Sequence, residues 1–532
     1  MEFNTQSQAT TPILDALSAC AMRSHAAFYS PGHKRGVGID PHLSSLLGTA
    51  VFRADLPELS SLDNLFAPTG VIQQAQQLAA AAFGADRTWF LVNGSTSGVI
   101  AAILATCTDG DQIILPRNVH QSAIAGLILS GAVPIFINPE YDADADLVYS
   151  ITPRAVTTAL RQHPEAKAVM MVYPTYQGVC GDLQEIALIT HQLNIPLLVD
   201  EAHGPHFGFH QDLPPSALSA SADLTVQSTH KVLGAMTQAS MLHLVGNRIS
   251  PERVSKALQL VQSTSPSYLL LASLDVARQQ MALHGEQLMA RTLQLASLAR
   301  DRISQIPGLS VLELAFTKGF LALDPTRLTV NVTGLGLTGY EADEILDREY
   351  AVVAELPSTQ HLTFIISLGN TVADIEQLVQ ALTSLSQQKL PQSPDASVQP
   401  VSPGAASPGS ATRTFPRRSL GTWGIQQLSW QDVSTRWKEE LMHVDPSTFI
   451  VHPALSPREA FFAPTETLPC EQTDARIGAE ILCPYPPGIP ALMPGEVINL
   501  ATLDYLKQVL ALGGKITGCS DPTLKTLKVV RH

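Results

Sequence analysis

Between Thr88 and Lys231 the apolar positions come in short runs, separated by longer stretches with helical spacing. The runs at 89–92, 112–115, 133–137, 168–172, 196–199 and 224–226 are almost wholly apolar, the pattern of strands buried on both faces. Helical stretches fall between most of them, and ahead of the series 71–83 predicts an amphipathic helix that stops at Gly84. Strands alternating with helices predict an α/β fold: a mainly parallel sheet covered on both faces, with ligands at the carboxyl ends of its strands. A Gly/Ser loop, Asn93 to Gly98, follows the first of these strands and leads into a helix at 99–105. After Lys231 the pattern predicts mainly helix to about residue 306. A smaller α/β pattern follows, with strands near 328–332, 351–354 and 362–367 and helices near 340–349 and 372–385. Residues 388–412 are rich in Pro, Ser and Ala with little to bury, and read as disordered linker. The expected division is an N-terminal segment (1–65), a large domain (66–310), a small α/β domain (311–387), a linker (388–415) and a separate C-terminal α+β domain (416–532).

Composition narrows the function. Charged residues make up 15% of the 532 and hydrophobic ones 45%, which implies large buried surfaces, subunit contacts, or both. The net charge of −14, without a dense Lys/Arg cluster, argues against nucleic acid as a partner. The cysteines at 20, 107, 180, 470, 483 and 519 form no Cys-x-x-Cys pair and read as reduced thiols. The longest apolar region, 123–137, is broken by Ser130, Gly131 and Pro134, so it does not predict a membrane span. A cytoplasmic protein is expected.

Five polar stretches fall just after predicted strands and so converge on one end of the sheet. They are Asn93 to Gly98, Arg117-Asn118-Val119-His120, Tyr173 to Gly178, Asp200-Glu201-Ala202-His203 and Ser228-Thr229-His230-Lys231. The Lys231 amine can form an imine with a carbonyl cofactor, and Ser228 and His230 can donate hydrogen bonds to its phosphate. Asp200, ending a buried strand, can pair with a protonated ring nitrogen. The backbone N–H groups of the Gly/Ser loop and the hydroxyls of Ser95, Thr96 and Ser97 aim at one point, which suits a phosphate. Each feature alone has a bland reading. A loop lysine is usually solvated, a strand-end aspartate often caps a helix, and His120 alone would be a structural histidine rather than a ring stacked on a cofactor. Together, in this order, they point to pyridoxal 5'-phosphate. A hydrolase with Asp200, His203, His206 and His210 as metal ligands is the competing reading. Gly204, Pro205 and Gly208 make that segment a loop, so no helical ligand pair forms and no metal is expected.

These residues resemble the fold-type-I Orn/Lys/Arg decarboxylases. The resemblance covers most of the chain: Pro31-Gly32-His33-Lys34, Asn93-Gly94-Ser95-Thr96, Val199-Asp200-Glu201-Ala202-His203-Gly204 and Gln227-Ser228-Thr229-His230-Lys231. It continues in Ser456-Pro457-Arg458-Glu459-Ala460, Tyr485-Pro486-Pro487-Gly488-Ile489-Pro490 and Pro494-Gly495-Glu496. It implies an aspartate-aminotransferase-like large domain that binds pyridoxal phosphate through Lys231, with Asp200 on the pyridine nitrogen and His120 stacked on the ring. Ser95, Thr96, Ser228 and His230 would hold the phosphate, and His203 would lie near the imine. Arg35, Gln121 and Tyr173 stand where the family more often has glycine, lysine and asparagine, and none removes a group the chemistry needs. The implied activity is decarboxylation of a small basic amino acid: arginine to agmatine first, lysine to cadaverine close behind, ornithine third. A distal guanidinium or ammonium group needs an acid, and Glu355, Glu480 and Glu496 are candidates, each with structural pairing as its alternative role. Larger members carry an extra domain ahead of the Pro-Gly-His-Lys segment, which only thirty residues precede here, so a homodimer or a dimer of dimers is expected. An aminotransferase on the same scaffold and a catalytically silent homologue remain as alternatives.

Overall fold

The apolar runs assemble into one eight-stranded sheet. The computed structural model describes residues 8–390, 450–451, 453–485 and 487–531. Within them the sheet strands are β1 (Arg87–Leu91), β2 (Gln112–Pro116), β3 (Val133–Ile137), β4 (Ala168–Val172), β5 (Leu197–Asp200), β6 (Leu224–Gln227), β7 (Ser240–Leu244) and β8 (Ile450–Val451). Their order is β1-β7-β6-β5-β4-β2-β3-β8. The five from β3 to β6 run parallel. β7 is antiparallel to both its neighbours, and β8 closes the far edge antiparallel to β3. β7 is a strand within the region after Lys231 that the pattern predicts to be mainly helical. Its polar residue His243 disguises it in the sequence, yet His243 is fully buried between Thr88 and Gln227.

Helices cover both faces, as parallel strands require. α1 (Val71–Phe83) ends at Gly84, which takes the left-handed conformation that favours glycine. α2 (Gly94–Thr106) packs where a Cβ on Gly98 would fall 2.7 Å from both Leu91 Cδ1 and Val226 Cγ1, so only glycine lets it approach the sheet. α2 begins five residues earlier than the pattern predicts: the Gly/Ser loop is its first turn. Glycine and serine are poor helix formers, and burial of Val99, Ala102 and Ile103 overrides that propensity. α3 (Gln121–Ser130) follows β2.

The 36-residue α4 (Tyr268–Ile303) joins two cores: Tyr268 to Leu274 pack beneath the N-terminal segment, and Leu295 to Ile303 belong to the small unit. That unit is a four-stranded antiparallel sheet of Ser310–Val311, Arg327–Asn331, His361–Ile365 and Leu356–Pro357, backed by helices Gly339–Tyr350 and Val372–Lys389. The expected strand at 351–354 does not form. Ala351 turns left-handed to end its helix, and Val352 and Ala354 only pack against the small core, so pairing waits until Leu356. The last unit has its own core around Cys470, Leu482, Leu506 and Val529. The helix to Lys389 takes the first two positions expected as linker, and 391–415 and 416–449 lie outside the described residues. Among the described residues no helix is long and apolar enough to cross a membrane.

A buried polar chain crosses the sheet beside the site. Thr88 Oγ1 meets His243 Nδ1 at 2.8 Å, and His243 Nε2 meets Gln227 Oε1 at 3.1 Å. Gln227 Nε2 then donates to Glu201 at 2.7 Å, whose other oxygen accepts from the Ala217 N–H at 2.6 Å. Burial pushes the Glu201 carboxyl up to about 8, against the hydrogen bonds from Gln227 and Ala217. A folded-state value raised from 4.5 means a stability contribution present below pH 4.5 and lost as pH rises through about 8. The slope is about 1.4 kcal/mol per pH unit. Glu201→Gln is therefore expected to flatten the fall in melting temperature between pH 5 and 8. Parallel wild-type and variant curves would contradict it.

Candidate active site

The polar stretches that follow the strands do meet at one end of the sheet. Lys231 stands on a single helical turn, Thr229–Val232, immediately after β6, with Ser228 at its N-cap. Asp200 is the last residue of β5, and His203 sits in the turn beyond it. His120 caps α3 after β2, and Ser95 and Thr96 lie in the first turn of α2 after β1. The Lys231 Nζ is 2.8 Å from His203 Nε2 and 5.8 Å from the centroid of the Tyr176 ring. Ser228 Oγ donates to Ser95 Oγ at 2.7 Å, joining two strand ends 133 positions apart. Ser97 departs from its expected role: it is buried, and its hydroxyl donates back to the Gly94 carbonyl within α2.

Burial dominates the electrostatics. It pushes the Asp200 carboxyl up, while Lys231 pulls it back and the Ala202 N–H donates to it at 3.2 Å. It pushes Lys231 down, with Asp200 opposing and Arg327 reinforcing. His203 is driven well below its usual range by burial, then by Lys231 and Arg327, so it is neutral at neutral pH. His120 is pushed down to about 4 and His230 is lowered, in both cases by burial and then by Lys231. His203 Nε2 shares a hydrogen bond with the Lys231 amine, and the ring's other nitrogen, Nδ1, is buried without a hydrogen-bond partner among the described residues.

Two participants escape the sequence patterns. Tyr176 tilts over His203 with ring centroids 4.6 Å apart. It lies within the polar stretch after β4, but nothing distinguishes it there from Tyr173, whose hydroxyl donates to the Pro215 carbonyl. Arg327 opens a small-unit strand and is 1% exposed; its Nη2 donates to the His203 carbonyl at 3.1 Å, and its Nε lies 3.6 Å from Asp324. Burial pushes Asp324 up, but His206, Arg327 and Thr326 outweigh it and hold the carboxyl below its usual value. His206 thus meets Asp324, at 3.2 Å, and His210 lies 3.8 Å from Asp212. The described residues hold no cluster of three or more groups suited to a metal.

Of the three acids considered for a distal positive group, two are occupied. Glu480 accepts from the Ser520 and Lys528 N–H groups, and Glu496 pairs with Arg117. Glu355 is exposed, and its charge bears on Lys231, Arg327 and Tyr176.

The residues fit pyridoxal phosphate. A half-buried amine lies in the field of a buried carboxylate, two hydroxyls meet at the N-terminus of a 13-residue helix whose first amides lack internal partners, and His203 Nδ1 has no hydrogen-bond partner among the described residues.

Comparison with known proteins agrees. The family model for the Orn/Lys/Arg decarboxylase major domain matches residues 11–320, and that for the Orn/Lys/Arg decarboxylase C-terminal domain matches 438–522. The chain is 38% identical over 528 residues to Arginine decarboxylase from Bacillus subtilis (strain 168), covering 99% of each. It is 27% identical to Lysine decarboxylase LdcA from Pseudomonas aeruginosa, covering 93% of this chain and 75% of that protein. The solved structure of the Francisella novicida lysine decarboxylase LdcF matches with a TM-score of 0.77 at 22% identity, covering 99% of this chain and 82% of that one. The fold is that of the fold-type-I pyridoxal-phosphate enzymes, extended by a C-terminal domain. By both its domains and its full-length likeness, the chain belongs to the Orn/Lys/Arg decarboxylase family.

Proposed function

We propose that the protein is a cytoplasmic pyridoxal-phosphate-dependent decarboxylase that converts L-arginine to agmatine and CO2, with lysine the next substrate and ornithine third. The observation that carries the chemistry is the Lys231 amine held 2.8 Å from neutral His203 beside buried Asp200. The choice of arginine is supported by relatives curated as arginine decarboxylases, 36–38% identical over nearly the whole chain.

When bound, the cofactor supplies an electron sink for the pair left on Cα as CO2 departs. Lys231 would hold it through its amine. Asp200 would pair with a protonated ring nitrogen, and its low-dielectric surroundings would strengthen that pairing. Ser95, Thr96, Ser228 and His230 would hold its phosphate, and His120 would lie against its ring. Lys231 and His203, hydrogen-bonded to each other, are the groups placed to return a proton to Cα.

Glu355 is our assignment for the distal guanidinium, on the ground that its charge reaches the site and its side chain has no hydrogen-bond or ion-pair partner among the described residues. Glu355→Gln should raise KM for arginine by about tenfold or more, with a smaller loss in kcat. An unchanged KM would remove Glu355 from the pocket.

The deciding assay offers arginine, lysine and ornithine separately to protein supplied with pyridoxal phosphate, and measures amine and CO2. Amino-group transfer to an added 2-oxo acid, without CO2, would replace the reading with an aminotransferase. Neither product would leave a silent homologue. The same preparation sized by light scattering should give a dimer or a multiple of it, because the N-terminal arm exposes Phe28 and Val37 at 94% and 90%. A monomer at all concentrations would refute that assembly.

A further inference from the structure

α3 carries His120 at its N-cap, and the C-terminal unit grips that helix at both ends. At the first turn the Gly488 carbonyl accepts from the Gln121 N–H at 3.1 Å, an amide with no partner inside the helix. At the other end Arg458 donates from Nη1 to the carbonyls of Ile128 and Leu129, both at 3.0 Å. Just before His120, Arg117 forms a two-pronged ion pair with Glu496, at 3.1 and 2.9 Å. Its guanidinium also donates to the carbonyls of Pro490 and Ala491, at 2.7 and 3.0 Å. A half-buried guanidinium satisfied in four directions by one neighbouring unit is an anchor.

The anchored turn reaches the histidine itself. Gly488 is left-handed at φ 85°, and a Cβ there would lie 3.3 Å from His120 Nε2 and 3.4 Å from Cδ2. On the opposite side of the ring, Nδ1 accepts from the Ser122 N–H at 3.2 Å and meets the Ser122 hydroxyl at 2.8 Å. One edge of the imidazole is held by its own helix and the other is bounded by the C-terminal unit.

We infer that the C-terminal unit positions the cofactor face. The Gly488 turn, anchored through Arg117, Glu496 and Arg458, sets the angle at which the His120 ring meets the cofactor. The inference rests on the reading that His120 stacks on pyridoxal phosphate. Gly488, Arg117, Arg458 and Glu496 are positioning residues and touch no reacting atom.

The test uses Gly488→Asn, since asparagine tolerates a left-handed backbone and the new side chain is what presses on the ring. Arg458→Gln, at the far end of α3, is the second variant. Each is made with His120 intact and with His120→Ala. Cofactor dissociation constant, visible circular dichroism of the bound cofactor and melting temperature are then read on full-length protein. With His120 intact, Gly488→Asn should weaken cofactor binding by about tenfold and change the dichroism; Arg458→Gln should do the same to a smaller extent. Both effects should vanish in the His120→Ala background. Equal effects in both backgrounds, or a lowered melting temperature with affinity and dichroism unchanged, would reduce the C-terminal unit to a stabiliser and overturn the inference. If His120→Ala alone leaves affinity and dichroism unaltered, the stacking reading fails and takes this one with it. Should Gly488→Asn not fold, the Arg458→Gln cycle decides on the same criteria.

Discussion

Replacing Lys231 with alanine should reduce amine formation at least about 10³-fold at saturating arginine and cofactor. Burial, with Arg327 reinforcing, lowers the affinity of Lys231 for its proton, so more of the amine is neutral and nucleophilic than in a solvated lysine. Its Nζ is bonded to His203, and alanine removes the attachment point and one end of that proton path together. The fold should survive, because the change deletes a charge from a partly buried position without opening the sheet core. Activity, visible absorbance of bound cofactor and melting temperature should therefore separate, with the first two lost and the third nearly constant. A variant that keeps a tenth of wild-type turnover would sink the assignment.

Asp200→Asn comes second. Asparagine preserves the shape at the end of β5 and can still accept from the Ala202 N–H. It lacks the buried negative charge. Turnover should fall by about 10²–10³-fold with a smaller change in KM, since the charge acts on what develops during the reaction rather than on binding. A linked effect has a definite sign. Asp200 is the larger of two attractions, with Glu355, that oppose burial at Lys231, so its loss should move the lysine titration to lower pH. The rate of reductive methylation of Lys231 against pH, in cofactor-free protein, measures that movement. A shift upward would mean that the two groups do not face each other as described.

Much of this site could be read from residue order because parallel strands deliver their following residues to one edge. Once Asp200, Lys231, His120 and Ser95 are each placed just past a two-sided apolar run, their meeting follows from topology. What stayed hidden depends on contacts across long separations. The strand at Ser240–Leu244 is obscured because His243 looks exposed until Thr88 and Gln227 satisfy it. Ser97 looked equivalent to Ser95 and Thr96, and only the helical turn at Gly94 sends its hydroxyl inward. Arg327 gives no sign of the site in the sequence, since its nearby Asp324 reads as an ordinary ion pair and the carbonyl it reaches there is 124 positions away. The 351–354 run carries the β-branched residues of a strand, but Val352 and Ala354 pack against the small core, and the Val352 N–H donates back to the Leu346 carbonyl of the preceding helix rather than to a strand.

The place of β7 between β1 and β6 has a consequence for how the chain comes off the ribosome. β1 sits at the sheet edge with β7 as its neighbour, so the strand that precedes the Ser95 turn waits for residues 240–244 before it can be paired. Domains tend to fold from the N-terminus as they emerge, and contacts of long sequence separation close late. The amine of Lys231 is therefore already translated before the Ser95 turn is locked beside Ser228. The pairing of the Ser95 turn with Ser228 is complete only once the whole of β7 has been made.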